Sequence, residues 1–225
     1  MLCVSVFLYN FAPQNNQAMK QKIDCNWYRY VDLGLPSGLL WATCNIGASE
    51  PWENGLYFSW GNVDGHAKGS GYDFGRGNYG PYASTPGRKL TTNIPVDTKY
   101  DAARANLGGS WRMPTVSAFR ELYVNCTRTW TTQNGVNGIM FVSCINGNSV
   151  FFPAAGYYDG TTLYGEDSCG SYWSSSFFSQ SVAYYLTLGG GYVNPQYYNL
   201  RFYGYPVRAV LDRPKDSLLI KTIKR

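Results

Sequence analysis

Histidine is almost missing from this chain. The 225 residues hold one, His66, so a Ser–His or Cys–His nucleophilic centre has a single residue to use. It lies in GNVDGHAKGSG at 61–71 with no recognisable nucleophile turn beside it, and it reads as a surface-loop histidine. Charge is sparse as well, at 15% of residues, with a formal net charge of +5. Part of that excess sits after Val210, where Arg213, Lys215, Lys221, Lys224 and Arg225 face only Asp212 and Asp216. No basic stripe crosses the aromatic segments, so nucleic acid is a poor partner. Long apolar runs are absent too. The stretch 2–8 is too short to span a bilayer, and without a basic start or a clear small-residue cleavage site it is at best a weak signal peptide. The expectation is a soluble protein with no membrane insertion.

The six cysteines, Cys3, Cys25, Cys44, Cys126, Cys144 and Cys169, follow neither a CxxC zinc spacing nor a compact disulfide framework. Free thiols are expected, with a Cys44–Cys126 bridge left open in an oxidising compartment. Asn62 and Asp64 form a fragment of a calcium loop, and Glu50, Glu53 and Asn54 could add oxygens, but the bidentate Glu of a full loop is missing. GRGNYG at 75–80 matches GxGxxG in letters only, because Pro81 follows where a phosphate-binding helix would have to start. Glu166 and Asp167 are adjacent and so do not make the opposed carboxylates of a glycosidase. No metal, no cofactor and no catalytic residue is expected.

What the chain does have is tyrosine. There are 20 Tyr, with 25 Gly and 11 Pro, and aromatics reach 17%. Eight of the tyrosines fall in 171–210, SYWSSSFFSQSVAYYLTLGGGYVNPQYYNLRFYGYPVRAV, where Lys, Glu and Met do not occur. That is the composition of a binding surface: Tyr supplies stiff contact area, while Ser, Gly and Asn supply adaptable hydrogen bonds. The plainer reading is an aromatic-rich sheet whose tyrosines cover a core edge.

Turn residues divide the chain into short elements. Residues 1–26 read as an extension, 27–211 as one domain and 212–225 as a basic tail. Strands are expected at 27–33, 39–43 and 56–60, followed by a long ordered loop over 61–92. A helix over 98–107 has Asp97 as its cap and ends at Gly108-Gly109. A second opens after Pro114 with Thr115 near its cap, and Phe119, Leu122 and Tyr123 share its inner face. Further strands are expected at 129–132, 139–143, 149–152, 172–175, 183–188, 192–194 and 207–210, with Asn146-Gly147 turning a hairpin. Asn125-Cys126-Thr127 is a formal glycosylation sequon. Trp111, Trp130 and Trp173 are candidate core residues. The class is α+β, two short helices with small twisted antiparallel sheets and long loops.

Several motifs in order carry a resemblance: VDLGLPSGLLWATCNIGA at 31–48, YFSWGN at 57–62, YDAARANLGGSWRMPT at 100–115, TRTWTTQNGVNG at 127–138, NGNSVFFPAAGYY at 146–158, SYWSSS at 171–176 and YPVRAV at 205–210. Together they resemble the C-type lectin-like domains of the Fibrobacter-type major paralogous family, whose fold is that of the formylglycine-generating enzymes. The copper-binding cysteine pair of the active enzymes has no equivalent in 172–210, where Cys169 stands alone nearby, so the resemblance implies the fold and not the catalysis.

The C-terminal segment also resembles the variable region of proteins diversified by retroelements. Mutagenesis in those proteins falls on adenines and cannot produce Lys, Glu, Met, Trp or Gln from Asn-type codons. From residue 177 to 205 only Gln180 and Gln196 fall outside the reachable set. By that resemblance SYWSSS, Ala183-Tyr184, Val193-Asn194-Pro195, Arg201 and Gly204 are framework. The ligand-binding positions are Phe178, Tyr185, Thr187, Gly189, Tyr192, Tyr197, Tyr198, Leu200, Phe202 and Tyr203. The implied protein is a non-catalytic receptor-binding protein of a phage tail tip or a bacterial surface, whose partner is a protein or glycan on another cell. The alternative is an invariant adhesin or lectin-like module with a fixed ligand. Tyr185, Tyr192, Tyr197, Tyr198 and Phe202 are expected on one exposed surface.

Overall fold

The computed structural model describes residues 29–75, 77 and 89–213. The expected extension over 1–26, most of GRGNYG and the tail beyond Arg213 lie outside the described residues.

Fourteen short strands and two helices make up the described chain, with the strands in four small sheets. The class is α+β and mostly β. Strands β1 (Tyr30–Asp32), β2 (Leu40–Ala42), β14 (Val210–Leu211) and β4 (Trp111–Arg112) form one antiparallel sheet, so the first and last strands share a sheet with β2 between them. Two ion pairs hold the chain just past β14 to this sheet. Arg112 meets Asp212 at 2.9 Å, and Arg213 meets Asp32.

Strands β3 (Tyr57–Phe58) and β13 (Tyr205–Pro206) make a two-stranded ladder. Strands β5 (Cys126–Gln133), β6 (Val136–Ser143) and β7 (Ser149–Pro153) form a meander. The β6–β7 turn contains Gly147 at φ 77, the left-handed conformation that glycine accepts without strain. The fourth sheet has the order β12 (Tyr192–Leu200), β11 (Val182–Gly189), β10 (Cys169–Phe177), β8 (Ala155–Asp159), β9 (Thr162–Glu166). It is not wholly antiparallel, because β10 pairs with β8 in parallel at Gly170–Gly156.

Helix α1 (Ala102–Leu107) starts later than the expected 98 because the buried Asp101, not Asp97, is its cap. Asp101 Oδ1 accepts from the Ala103 and Arg104 N–H groups, and both carboxylate oxygens accept from Met113 N–H. One side chain thereby caps the helix and ties it to the segment after β4. Asp97 instead accepts from the Lys99 and Tyr100 N–H groups in the turn before. Helix α2 (Val116–Asn125) has the expected cap: Thr115 Oγ1 accepts from Ala118 N–H at 3.1 Å. Its Ala118, Phe119 and Leu122 are buried. Tyr123 is only half-buried, with the Arg128 guanidinium over its ring at 4.0 Å.

The five-stranded sheet separates two apolar clusters, since successive strand residues point to opposite faces. Trp173, Ala183 and Tyr185 enter one cluster with Trp60, Trp111 and Tyr205. Tyr172, Leu186 and Leu188 enter the other with Trp41, Phe119 and Leu122 from α2. Trp111 and Trp173 are therefore core residues, whereas Trp130 is half-buried, and a Cβ placed on Gly190 would meet its ring at 3.8 Å. It flanks the tip of the β11–β12 hairpin, because β5 is largely open to solvent.

Candidate functional site: the tyrosine face of the five-stranded sheet

SYWSSS is the floor on which the site is built. Ser171, Tyr172, Trp173, Ser174, Ser175 and Ser176 are all buried. Their hydroxyls are used internally: Ser174 Oγ donates to Tyr184 O at 2.7 Å, and Ser176 Oγ accepts from Val116 N–H at 3.0 Å. Buried hydroxyls need such partners, and here they fasten β10 to β11 and to the start of α2.

Register decides which side chains share a face. Tyr185 pairs with Tyr197, Thr187 with Asn194 and Gly189 with Tyr192, which places these six on one face of β11–β12. Tyr184 pairs with Tyr198 and Val182 with Leu200, which places these four on the other. The register shifts between Tyr185 and Thr187, where β12 carries one extra residue around Pro195-Gln196. Pro195 has no N–H to give to the ladder, which suits that bulge.

The ten sequence-predicted positions therefore fall in three places. Tyr185, Thr187, Gly189, Tyr192 and Tyr197 line the first face. Tyr198 and Leu200 belong to the second by register. Yet on the edge strand β12 the Tyr198 ring stacks both on Phe178, just past β10, at 4.5 Å and 11°, and on Tyr197, at 6.0 Å and 18°, so it joins the exposed rings of the first face. Phe202 and Tyr203 follow β12, their rings 4.8 Å apart. Phe178, Tyr192, Tyr197 and Tyr198 keep 44–52% of their surface in solvent. Thr187, Gly189, Leu200, Phe202 and Tyr203 are half-buried.

Tyr185 does not join an exposed surface. It is 6% exposed, packed 4.9 Å from Tyr205 and 6.0 Å from Trp173. Of the five aromatics expected on one surface, Tyr185 lies beneath it, whereas the exposed Tyr197 and Tyr198 rings stack at 6.0 Å and 18°. The cause is local: Tyr185 opens the inner face of β11 directly over Trp173, with which it pairs in register. The Tyr205 hydroxyl accepts from Asn199 Nδ2 at 2.9 Å. Burial pushes the Tyr185 and Tyr205 phenols above their ordinary titration range.

Arg201 fixes the end of β12. It is fully buried, donates to the Leu90 and Ser179 carbonyls, and lies 4.2 Å over the Trp60 ring. Arg201 thus ties three loops together. Compared with known proteins, the chain matches no family model, no curated protein and no solved structure.

Four contributors lay outside the predicted set. Tyr157, Asp159 and Tyr164 come from the β8–β9 hairpin and Tyr205 from β13. Tyr157 stacks on Tyr164 at 5.7 Å and meets Tyr203 at 5.8 Å and Tyr205 at 5.9 Å. A signal for them existed: Asp159-Gly160 between AGYY and TTLYGE is a hairpin pair of the kind read at Asn146-Gly147. Gly160 sits at φ 59.

Cys169 is half-buried beside the tyrosine face, and burial raises its thiol pKa, which keeps it protonated and weakly nucleophilic. His66 is not a surface-loop residue. It is half-buried and stacked on Tyr72 at 3.5 Å, and burial lowers its pKa. Two of the candidate oxygen ligands accept from nearby backbone, Asn62 Oδ1 from Asp64 N–H and Glu53 Oε2 from Ser49 N–H, while Asn54 donates through Nδ2 to Glu166 Oε1. Among the described residues no group of three or more His, Cys, Asp or Glu converges. Cys44 and Cys126 are buried free thiols. No helix among the described residues is long and apolar enough to cross a membrane.

Proposed function

We propose that the chain is a non-catalytic ligand-binding protein, in which a C-type lectin-like scaffold displays a tyrosine-rich, retroelement-diversified surface. The observation that carries the reading is the division of β11 and β12 by burial. Of the residues assigned to the framework by resemblance, Ser171–Ser176, Ala183, Arg201 and Gly204 are buried, and Tyr184, Val193, Asn194 and Pro195 are half-buried. Phe178, Tyr192, Tyr197 and Tyr198 are exposed. Exposed large aromatics in one region mark interaction surfaces, and exposed positions are those that accept substitution at little cost. The ligand is a protein or glycan on another cell, met from a phage tail tip or a bacterial surface.

One observation favours the second reading, a fixed adhesin. Tyr185 is buried, with its ring packed 4.9 Å from Tyr205, so free variation there would disturb the core.

The test is to sequence the coding region for residues 171–210 from many cells of one natural population. Diversification predicts adenine-directed substitutions concentrated at Phe178, Tyr192, Tyr197 and Tyr198, with a reverse transcriptase gene beside a near-copy of the segment. An invariant segment with no such neighbour would leave the fixed adhesin.

A further inference from the structure

The β8–β9 side of the tyrosine face differs from the β11–β12 side in carrying a carboxylate. An isolated bridge joins Tyr158 to Gly204: Tyr158 N–H donates to Gly204 O at 2.9 Å and Gly204 N–H to Tyr158 O at 3.0 Å. That antiparallel register sets Asp159 opposite Tyr203. Burial and then the nearby Asp159 charge raise the Tyr203 phenol above its ordinary titration range. Tyr157 stands between the other two rings, nearly parallel to Tyr164 at 26° and tilted 66° from Tyr203. Tyr164 is 46% exposed and Asp159 is exposed as well.

Charge on this part of the chain runs against the whole. Net charge over 225 residues is +5. Between residues 155 and 206 the acids are Asp159, Glu166 and Asp167, and the sole cation is Arg201, which is buried and bound to carbonyls. Glu166 is paired with Lys68 at 2.6 Å. The face therefore presents negative ring quadrupoles and an acidic rim with no accessible cation of its own strands.

We propose that Tyr157, Tyr164, Tyr203 and Asp159 form a subsite for an arginine side chain of a protein ligand. A guanidinium is flat and stays charged at any physiological pH. It stacks on phenol rings while its fork of N–H donors meets a carboxylate. An ammonium reaches the charge but not the stack. A neutral sugar gains nothing from the acidic rim, and an anionic one is repelled. The assignment rests on the ligand-binding reading of this face and names the chemistry of the partner.

The test uses the full chain with ring-labelled tyrosines, followed by NMR. The probe is N-acetyl-arginine methylamide, compared with the lysine analogue and with the neutral citrulline analogue. A lone side chain is expected to bind with Kd of roughly tens of millimolar, with saturable shifts at Tyr157, Tyr164 and Tyr203. Lysine should bind about fivefold more weakly and citrulline not measurably. D159N should weaken arginine binding by at least about fivefold. It should also leave melting unchanged, because Asn-Gly serves this hairpin turn as well as Asp-Gly. Y164A, at an exposed ring, should weaken binding with a small effect on melting. Equal binding of citrulline, parent-like binding by a folded D159N, or no saturable shift would each overturn the subsite. So would maltose shifting these rings where arginine does not. Such a failure leaves the population-sequencing result untouched, since that result depends on β11–β12 and Phe178. Invariance there would leave the arginine subsite standing.

Discussion

Replacing Trp173 by serine is expected to destabilise the domain by about 3–5 kcal/mol, the usual cost of deleting a buried indole. Trp173 is fully buried, stacked on Tyr205 at 4.2 Å and 24°. Its Nε1–H donates to Phe58 O at 2.8 Å. Serine is too short to reach that carbonyl, which is left without its side-chain partner, and Tyr185 and Tyr205 lose the ring they pack on. For a domain of this size the loss corresponds to a fall in melting temperature of roughly 6–20 °C. A thermal melt by circular dichroism measures it. A shift within a degree or two of the parent would mean that the indole is not the support of the tyrosine face.

Alkali should unfold the protein more steeply than an ordinary domain. Four buried phenols, Tyr57, Tyr172, Tyr185 and Tyr205, are pushed up by burial, Tyr172 to about 12, Tyr57 and Tyr185 further, and Tyr205 well above its ordinary range. Tyr57 donates to Ala155 O at 2.7 Å and Tyr172 to Pro153 O at 2.6 Å, so ionisation also removes a donor.

Each folded phenol binds its proton more tightly than the unfolded chain does, where tyrosine titrates near about 10. The corresponding stability is complete below that pH and is lost as the pH climbs through it toward the folded values. Each group contributes a slope of up to about 1.4 kcal/mol per pH unit, so four together approach about 5 kcal/mol per unit. Urea midpoints should therefore be level up to pH ~9.5 and fall sharply by pH ~11. Tyr172→Phe should lower that slope by about a quarter. A midpoint that stays level to pH ~11.5 would contradict the burial of these hydroxyls.

Local chemistry made much of this fold legible in the sequence. Thr115 announced α2, Asn146-Gly147 announced the β6–β7 turn, and the apolar spacing of Phe119 and Leu122 announced the docked face. The α+β class followed from turn density and two short helical patterns.

What stayed hidden depended on long-range contacts. Asp101 outcompetes Asp97 as a cap because its carboxylate also accepts from Met113 N–H, twelve residues away. Strand β4 has two residues and exists through its pairing with β14. Tyr185 and Tyr197 looked alike as letters, and only the pairing of Tyr185 with Trp173 separates a core ring from a surface ring. The β8–β9 tyrosines were overlooked although Asp159-Gly160 marked their turn, because they lie outside the segment whose composition drew attention.

The central claim is that the side chains of the tyrosine face are separable from the scaffold that holds them. Tyr192→Ser, Tyr197→Ser and Tyr198→Ser combined in one variant test it most directly by thermal melt beside Trp173→Ser. Exposed substitutions cost about 0.5 kcal/mol or less apiece. The lost contacts of Tyr198 with Phe178 and of Tyr197 with Tyr185 are each worth about 0.5–1.5 kcal/mol. The account predicts a cooperative melt no more than about 4.5 kcal/mol below the parent, and above that of Trp173→Ser. A triple variant that fails to fold while Trp173→Ser melts like the parent would show that scaffold and surface have been exchanged.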